Sequence, residues 1–393
     1  MKYYIKIIAI FVVVFSLFSC TSKGDDDNDD GVDDDDDDND DSVDDDEYLP
    51  EINENWSYEI IDRRAYDYSL SLDSDNNVYI VYYNPVRDDG WDKLFYAFSI
   101  DDWQVKQFPS EGSFSGGNTC SNLSSAVDSN GELHLLYTSE PYSELYYASF
   151  ENGNWVKTLI SSTIEWLPGS SLTVDESGIV HISYYEGPGK DHDLMYAYNS
   201  NGQWQYEVVD SGAGEITIYH QSVLKVINDN KYLAYIGLGS SEMENKIIVA
   251  KKSESEWEKS VIGEDVGSLS MDVEDAGYVH LVSYNFPLRI SYYCDSSGEW
   301  TSVIVADEYV YSPLSLAVDS NSRVHFLHSG MDLWESKVKT MYVNNTSGEW
   351  ISEEIVADLP TFISMAIDSD NKIHVAMNAG SYLVHLTREI EQE

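Results

Sequence analysis

Cysteine and basic residues are scarce in this chain of 393 residues. It contains three cysteines, and its 22 lysines and arginines face 71 aspartates and glutamates, a formal net charge of −49. Three cysteines cannot build the disulfide framework of a small secreted scaffold, and so acidic a chain is repelled by nucleic acid. Zinc-binding patterns, glycine-rich phosphate loops and nucleophile elbows are also missing. We therefore expect no nucleic-acid partner, no metal site and no cofactor.

Long apolar runs are missing too, except near the N-terminus. Residues 7–18 form a short apolar run after Lys2 and Lys6, and it ends in Leu17-Phe18-Ser19-Cys20. This pattern resembles the bacterial lipoprotein signal, which implies that residues 1–20 are a signal peptide and that Cys20 is lipidated. An ordinary secretory signal or a membrane anchor is the alternative, although the run is short for a bilayer span. The following Thr-Ser-Lys-Gly-Asp-Asp-Asp resembles the signal that sends Bacteroidetes lipoproteins to the cell surface, which predicts display on the bacterial outer membrane.

Apolar residues are nearly absent from the next segment. Residues 25–47 hold 17 of the 71 acids, and a run of like charge cannot collapse. We predict that residues 21–52 are a disordered tether that attracts calcium diffusely without a defined site. Three of the bases lie in residues 1–24, so 54 acids and 19 bases remain in the rest of the chain. Such a body should repel strongly anionic polymers as well.

A repeat organises the remaining residues, and its clearest copy runs from Ser171 to Trp204. SLTVD, IVHISYY, LMYAYN and WQYEVV read as four short strands, separated by turn residues or a polar loop. Three markers recur seven times at spacings of 43 to 55 residues. The turn acids are Asp73, Asp128, Asp175, Glu274, Asp319 and Asp368, with a degenerate copy near Val226. Rings follow six residues later at Tyr79, His134, His181, Tyr232, His280, His325 and His374. Tryptophans open the fourth strands at Trp56, Trp103, Trp155, Trp204, Trp257, Trp300 and Trp350.

This period and the all-β content predict a seven-bladed β-propeller of four-stranded antiparallel blades over residues 53–393. The first marker is a fourth-strand tryptophan, whereas the last blade has only three strands of its own. Pairing of residues 56–61 with that last blade would close the ring and remove its free edges. Cys120 and Cys294 would fall in the second and fifth blades, so no disulfide is expected between them.

The two faces of such a ring differ in loop length. The connections from the first to the second strand and from the third to the fourth are tight turns, such as DESGI and NSNG. The other connections are long and irregular, such as YNPVRDDGWDK and HSGMDLWESKVK. Long loops on a rigid scaffold are where function usually resides, so the long-loop face is the predicted working surface.

The rings outside the repeat positions fall on this face. The loop tryptophans Trp91, Trp166 and Trp334 suit stacking against sugars, or else burial against neighbouring loops. Two blades have a tyrosine, Tyr79 or Tyr232, at the repeat position where the other five have a histidine. This exchange indicates that the repeated histidines serve packing and hydrogen bonding and not metal ligation. Further candidates for lining a central depression are His192, His220, His328, Tyr219, Tyr309, Tyr311, Arg63, Arg64 and Arg87.

Two functions are compatible with these residues. The first is non-catalytic binding of an extracellular glycan or protein. The alternative is a polysaccharide lyase, in which His192 or His220 is the base, Tyr219 the acid and Arg63 or Arg87 the cation that neutralises a uronate. A glycosidase would need two convergent carboxylates, and the sequence alone cannot select a pair.

The blades resemble those of sialidase-like, or BNR-type, propellers of exported bacterial proteins. The resemblance rests on VDSNGELHLLY and VDESGIVHISYY, and on the turns SSGEW and NSNGQW. It covers about residues 53–393 and implies the fold. The Asp-box of that family reads Ser-x-Asp-x-Gly-x-x-Trp, whereas here the tryptophan stands one residue closer to glycine. Sialidases also carry an arginine triad that starts with an Arg-Ile-Pro segment. No such segment is present in this sequence, so the resemblance implies no sialidase activity.

Overall fold

The computed structural model describes residues 48–390 except 64, 86–90, 101, 110–113, 116–122, 140–143, 152, 165–168, 188–191, 215–220, 239–244, 254, 265, 286–288, 297, 307–309, 333–336, 359 and 361. In chain order its strands are β1 (Ser57–Arg63), β2 (Tyr66–Leu72), β3 (Val78–Pro85), β4 (Trp91–Ser99), β5 (Trp103–Gln107), β6 (Phe114–Ser115), β7 (Ser124–Val127), β8 (Leu133–Ser139), β9 (Glu144–Glu151), β10 (Asn154–Ser161), β11 (Ser171–Val174), β12 (Val180–Glu186), β13 (His192–Ser200), β14 (Gln203–Gly214), β15 (Ser222–Ile227), β16 (Asn230–Leu238), β17 (Asn245–Lys252), β18 (Glu258–Glu264), β19 (Val266–Val273), β20 (Val279–Asn285), β21 (Arg289–Cys294), β22 (Thr301–Ala306), β23 (Val310–Val318), β24 (Val324–Asp332), β25 (Lys337–Asn344), β26 (Ile351–Val356), β27 (Ile363–Ile367), β28 (Lys372–Ala379) and β29 (Tyr382–Glu389).

These strands form the predicted seven antiparallel blades. Blades one to six are β2–β5, β7–β10, β11–β14, β15–β18, β19–β22 and β23–β26, and blade seven is β27, β28, β29 and β1. The short β6 pairs with the start of β4 and widens blade one. Fourth strands are exposed at the rim, whereas the middle strands are buried on both faces between blades. The predicted fold class is confirmed.

Ring closure by the N-terminal strand is also confirmed. β1 pairs with β29 from Ser57 opposite Thr387 to Arg63 opposite Tyr382. The packed body begins before this strand, at Tyr48, whereas the sequence predicts a tether as far as residue 52. The Asn53 amide donates to the Ile355 carbonyl at 2.8 Å, and the Ser381 amide donates to the Tyr48 carbonyl at 3.3 Å. Gly380 has φ +60°, and a Cβ there would lie 1.9 Å from the Tyr48 oxygen, so this contact requires glycine.

The repeated acid, ring and tryptophan have structural roles, as the sequence predicts. In five turns one aspartate oxygen accepts from the backbone amides two and four residues on, at 2.7–3.0 Å. In four of those turns, and in the Glu274 turn of blade five, the acid lies 3.0–3.8 Å from Nε2 of the repeat histidine. Nδ1 of that histidine meets a tyrosine hydroxyl on the third strand in the pairs His134–Tyr147, His181–Tyr196, His280–Tyr292 and His325–Tyr342, at 2.6–2.7 Å. Blade seven has His385 in place of this tyrosine.

The repeat tryptophans join neighbouring blades. Each of six packs edge-on against the third-strand ring of the preceding blade, with ring centroids 5.0–5.5 Å apart. The pairs are Trp56–Tyr342, Trp103–His385, Trp155–Tyr96, Trp204–Tyr147, Trp257–Tyr196 and Trp350–Tyr292. The marker spacing therefore reflects a contact that each blade makes with the one before it.

A ring of hydrogen bonds joins the first strands, and the sequence analysis missed it. At every junction a side-chain oxygen of one first strand, or of the residue just before it, accepts from a backbone amide of the next blade at 2.9–3.1 Å. The acceptors are Ser69, Ser124, Ser171, Gln221, Ser270, Ser315 and Ser364. The bond from Leu70 to Ser364 closes the circle between blades one and seven.

Replacing Ser364 with alanine should lower the free energy of unfolding by about 1–3 kcal/mol, because the Leu70 amide loses its partner inside the junction. Urea denaturation measures the change. Ser302 on the exposed strand β22 is the matched control, and its replacement should change stability by less than about 0.5 kcal/mol. Equal effects of the two substitutions would contradict a role for the ring of hydrogen bonds.

Candidate functional site

The long-loop face contains a cluster of loop stems around blade three. We call it the stem cluster and define it by Thr163, Gly169, Gly187, His192, Gly214 and Ser222. The Gly187 amide donates to the Thr163 carbonyl at 3.2 Å. The Ser222 amide and hydroxyl both donate to the Gly169 carbonyl, at 3.1 and 2.6 Å. His192 pairs with Gly214 where β13 meets β14.

These pairs join the ends of three loops that carry predicted site residues. Trp166 lies between Thr163 and Gly169 in sequence, and Tyr219 and His220 lie between Gly214 and Ser222. The third loop, residues 188–191, starts beyond Gly187 and ends at His192. The structure therefore brings together the stems of the loops that hold Trp166, Tyr219 and His220, although these three residues lie outside the described part of the chain.

Gln221 fixes the end of the Tyr219–His220 loop. Its side-chain oxygen accepts from the Leu269 amide at 2.9 Å and from the Ser268 hydroxyl at 3.1 Å, both in blade five. Its carbonyl accepts from the Tyr185 hydroxyl of blade three at 3.4 Å and from the Ile236 amide of blade four at 3.3 Å. The position next to His220 is thus held by three blades. Such rigid support is what a site on loops needs for a defined geometry.

His192 is fully buried, with 0% of its surface exposed. It is the first residue of β13. In this arrangement its ring does not reach a polymer in solution. The other histidine considered as a base for a lyase, His220, lies outside the described residues.

Acidic side chains surround the stem cluster. Glu186 accepts from the Ser161 hydroxyl at 3.0 Å, and Asp193 accepts from the Gly212 amide at 2.9 Å. Burial, followed by the charge of Glu186, raises the pKa of Tyr184. On the neighbouring outer strand, Asp210 accepts from the Tyr235 hydroxyl at 2.6 Å and pairs with Lys259 at 2.6 Å. The charges of Glu186 and Asp193 therefore disfavour the approach of an anionic ligand to this edge, whereas Lys259 balances the charge of Asp210.

Arg63 lies far from the stem cluster in the ring. It ends the outer strand of blade seven, and its guanidinium carbon lies 5.9 Å from the centroid of the Tyr382 ring. Blades one and two stand between blade seven and blade three. The structure therefore does not bring Arg63 to His192, and the lyase arrangement that combines these two residues is not formed.

The other predicted site residues fall into two groups. His328 is 1% exposed within β24, beside Phe326, and so its ring is part of a blade core. The backbone of Trp91 pairs with Ser115, and that of Tyr311 pairs with Ser329; nothing is described of their side chains. The candidates that lie outside the described residues are Cys20, Arg64, Arg87, Trp166, Tyr219, His220, Tyr309 and Trp334.

Two features are absent from the described residues, a metal centre and a membrane-spanning helix. No group of three or more His, Cys, Asp and Glu side chains there is arranged to hold a metal ion. That part of the chain also contains no helix with the length and apolarity needed to cross a bilayer.

Known proteins resemble this chain in fold only. No protein-family model and no curated protein matches its sequence. The solved structure of the polysaccharide lyase Uly1 aligns with a TM-score of 0.52 at 11% identity, over 81% of this chain and 88% of its own. The SapL1 lectin, solved with alpha methyl fucoside, aligns with a TM-score of 0.49 at 11% identity, over 75% of this chain and 97% of its own. The Hadza microbial sialidase Hz136 aligns with a TM-score of 0.46 at 12% identity, over 80% of this chain and 76% of its own.

Proposed function

We propose that the propeller binds an extracellular glycan, without catalysis, through the loops above the stem cluster. The observation that carries this proposal is the hydrogen-bonded convergence of the stems of three loops, two of which hold Trp166, Tyr219 and His220. Aromatic rings offer an apolar face for a sugar ring and a polar tip for its hydroxyls. The fold shared with Uly1 supports a polysaccharide or oligosaccharide as the class of ligand.

The charge of the body favours a neutral glycan over an anionic one. Glu186 and Asp193 lie at the described edge of the site, and acids outnumber bases 54 to 19 beyond the tether. A uronate or sulfated polymer would meet repulsion of like charge there. The same argument disfavours the lyase alternative, whose substrate must carry a carboxylate.

We further propose that the protein is attached to the bacterial outer membrane, at the cell surface, by a lipid on Cys20. The acidic run of residues 25–47 would hold the propeller away from the membrane, because repulsion between its charges extends it. A ligand outside the cell would then reach the long-loop face. Labelling with a radioactive fatty acid tests the anchor, and Cys20→Ser should abolish the label.

Replacing Trp166 with alanine should weaken binding to the glycans selected on an array by about ten- to a hundredfold, because the apolar surface buried against a sugar is lost. Titration calorimetry with the strongest hit measures the change. Tyr58→Ala is the matched control, because Tyr58 is an exposed aromatic residue on the outer strand of blade seven, and this variant should bind as the unmodified chain does.

Two results would contradict the proposal. One is unchanged binding by Trp166→Ala. The other is release of unsaturated uronate products, seen as new ultraviolet absorbance when uronate polymers are incubated with the protein, since this would establish a lyase. A Trp166→Phe variant that restores binding would locate the contact in the aromatic face.

A further inference from the structure

The junction between blades one and seven contains two buried oxygen atoms without a hydrogen-bond partner in the described structure. One is Oδ2 of Asp67, a residue that is 5% exposed, and the other is Oδ1 of Asn378. An ionised carboxylate and an amide oxygen can only accept hydrogen bonds. Buried acceptors without a donor are costly, and they are seldom left unsatisfied.

The surrounding contacts bring Asn378 against the segment of β2 that contains Asp67. Asn378 Nδ2 donates to the Ala65 carbonyl at 2.7 Å, and the Asn378 amide donates to the Tyr68 hydroxyl at 2.8 Å. Asn378 therefore bridges Ala65 and Tyr68, and Asp67 lies between these two residues in the sequence. The Tyr68 hydroxyl donates in turn to the Phe362 carbonyl, so it is not free to satisfy the two acceptors.

Asp67 also has an unusual backbone conformation. It is the extra residue of a β-bulge, because Tyr66 pairs with Tyr83 and Tyr68 with Tyr82. Its φ is +45°, which is uncommon for residues other than glycine, asparagine and aspartate. Bulges and strained residues of this kind mark positions where a side chain is directed to a particular place.

We propose that the carboxyl of Asp67 stays protonated in the folded chain and donates its hydrogen to Asn378 Oδ1. This hydrogen bond would stabilise the junction that closes the ring of blades. One proton satisfies both buried oxygens and joins the first strand of blade one to the second strand of blade seven. Loss of that proton leaves a buried charge facing a second acceptor and weakens the junction.

The charged and titratable neighbours agree with this assignment. Burial raises the pKa of Asp67 well above its ordinary 3.8. Burial raises the pKa of Tyr68 on β2 well above its ordinary 10.0, and the charges of Asp67 and of Asp358, which follows β26, raise it further. Opposite the bulge, β3 presents Tyr82 and Tyr83, and β28 presents Asn378, which does not titrate. Arg63 on β1 lies against Tyr382.

The direction of the pH effect follows from linkage. The carboxyl is protonated in the folded chain over a pH range in which the unfolded chain has already released the proton. Its contribution to stability is therefore complete below pH 3.8 and decreases as pH rises, until Asp67 ionises in the folded protein.

The test is urea denaturation of the full chain and of Asp67→Asn from pH 4.5 to 9. Asparagine tolerates a positive φ and supplies an N–H donor to Asn378 at every pH. The folding equilibrium constant of the variant, divided by that of the unmodified chain, should rise by about tenfold per pH unit and then level off. Taking the ratio removes the contributions of the histidines, which both chains share.

Asp62→Asn is the matched control at the same edge. The Asp62 carboxylate accepts from the Arg63 amide, the Tyr82 hydroxyl and Asn84 Nδ2 at 2.7–2.8 Å, so the same substitution there should destabilise the fold. A constant ratio for Asp67→Asn across the pH range would overturn the proposal. So would stabilisation of the unmodified chain by CaCl2, reversed by EDTA and absent in Asp67→Asn, because a cation would then be bound between the two oxygens.

Discussion

Replacing Trp56 with alanine should lower the free energy of unfolding by about 3–5 kcal/mol, the range for removing a large aromatic ring from a packed core. Trp56 is 4% exposed and packs edge-on against Tyr342 of blade six, with centroids 5.3 Å apart. Its indole N–H donates to Glu353 at 3.1 Å, and the Arg388 guanidinium lies 5.7 Å from its ring. Urea denaturation gives the change in free energy.

The same variant should loosen the ring of blades at its closure, where β1 pairs with β29. Trp56 immediately precedes β1, the strand that closes blade seven, so its loss should increase hydrogen exchange at the amides shared by β1 and β29. Trp257→Ala is the matched control, because Trp257 makes the same contact with Tyr196 inside the ring, at 5.3 Å. That variant should also be destabilised while the amides of β1 and β29 remain protected. If both variants exchange alike at β1, Trp56 has no special role in closure.

The sequence predicts this closure because every part of the signal is local or periodic. An aspartate that accepts from its own turn, as Asp175 does, leaves the same short pattern in each blade. A tryptophan that packs on the previous blade must keep its spacing from the ring it touches, as Trp204 does with Tyr147. Contacts that recur in every repeat can be recognised without knowledge of the structure.

Other features could not be predicted, because their signal is neither periodic nor distinctive. Serines such as Ser270 and Ser364 alternate with apolar residues in a strand, and nothing in that pattern indicates a partner in the next blade. The bulge at Asp67 depends on a register that only pairing with β3 defines. Leu49 and Ile52 are isolated apolar residues after an acidic run, yet both pack on the hydrophobic core between blades six and seven.

The stem cluster illustrates the same limit for the site. The sequence places Trp166, Tyr219 and His220 on one face, because the alternation of tight and long connections depends only on strand order. It cannot indicate which loops share a stem, since the bond between Gly169 and Ser222 joins residues from adjacent blades.

Replacing His385 with tyrosine should protect the protein against acid, with a gain of about 2 kcal/mol at pH 5 and about 3 kcal/mol at pH 4 over the unmodified chain. His385 occupies the position where four other blades place a tyrosine hydroxyl on the repeat histidine, and its Nε2 lies 3.1 Å from His374 Nδ1. Burial, then the positive charges of His374 and Lys372, lowers its pKa to about 3.

The sign follows from comparing the folded and unfolded chains. Below pH 6.5 an unfolded histidine takes up a proton, whereas His385 in the fold remains neutral until about pH 3. Stability is therefore lost as pH falls through this window. Burial also lowers the pKa of His134, His181 and His374, so some acid sensitivity should remain after the substitution. Urea denaturation at pH 7.5, 6, 5 and 4 measures the difference between the two chains.

The reciprocal change provides the control, because Tyr196→His would create a second histidine pair, with His181 in blade three. If two facing imidazoles are the cause, this variant should lose stability in acid more steeply than the unmodified chain, by a similar amount. Parallel pH profiles for the unmodified chain and His385→Tyr would show that the His374–His385 pair is protonated as readily in the fold as in the unfolded chain. Blade seven would then tolerate the charge, and its departure from the repeat would carry no cost in acid.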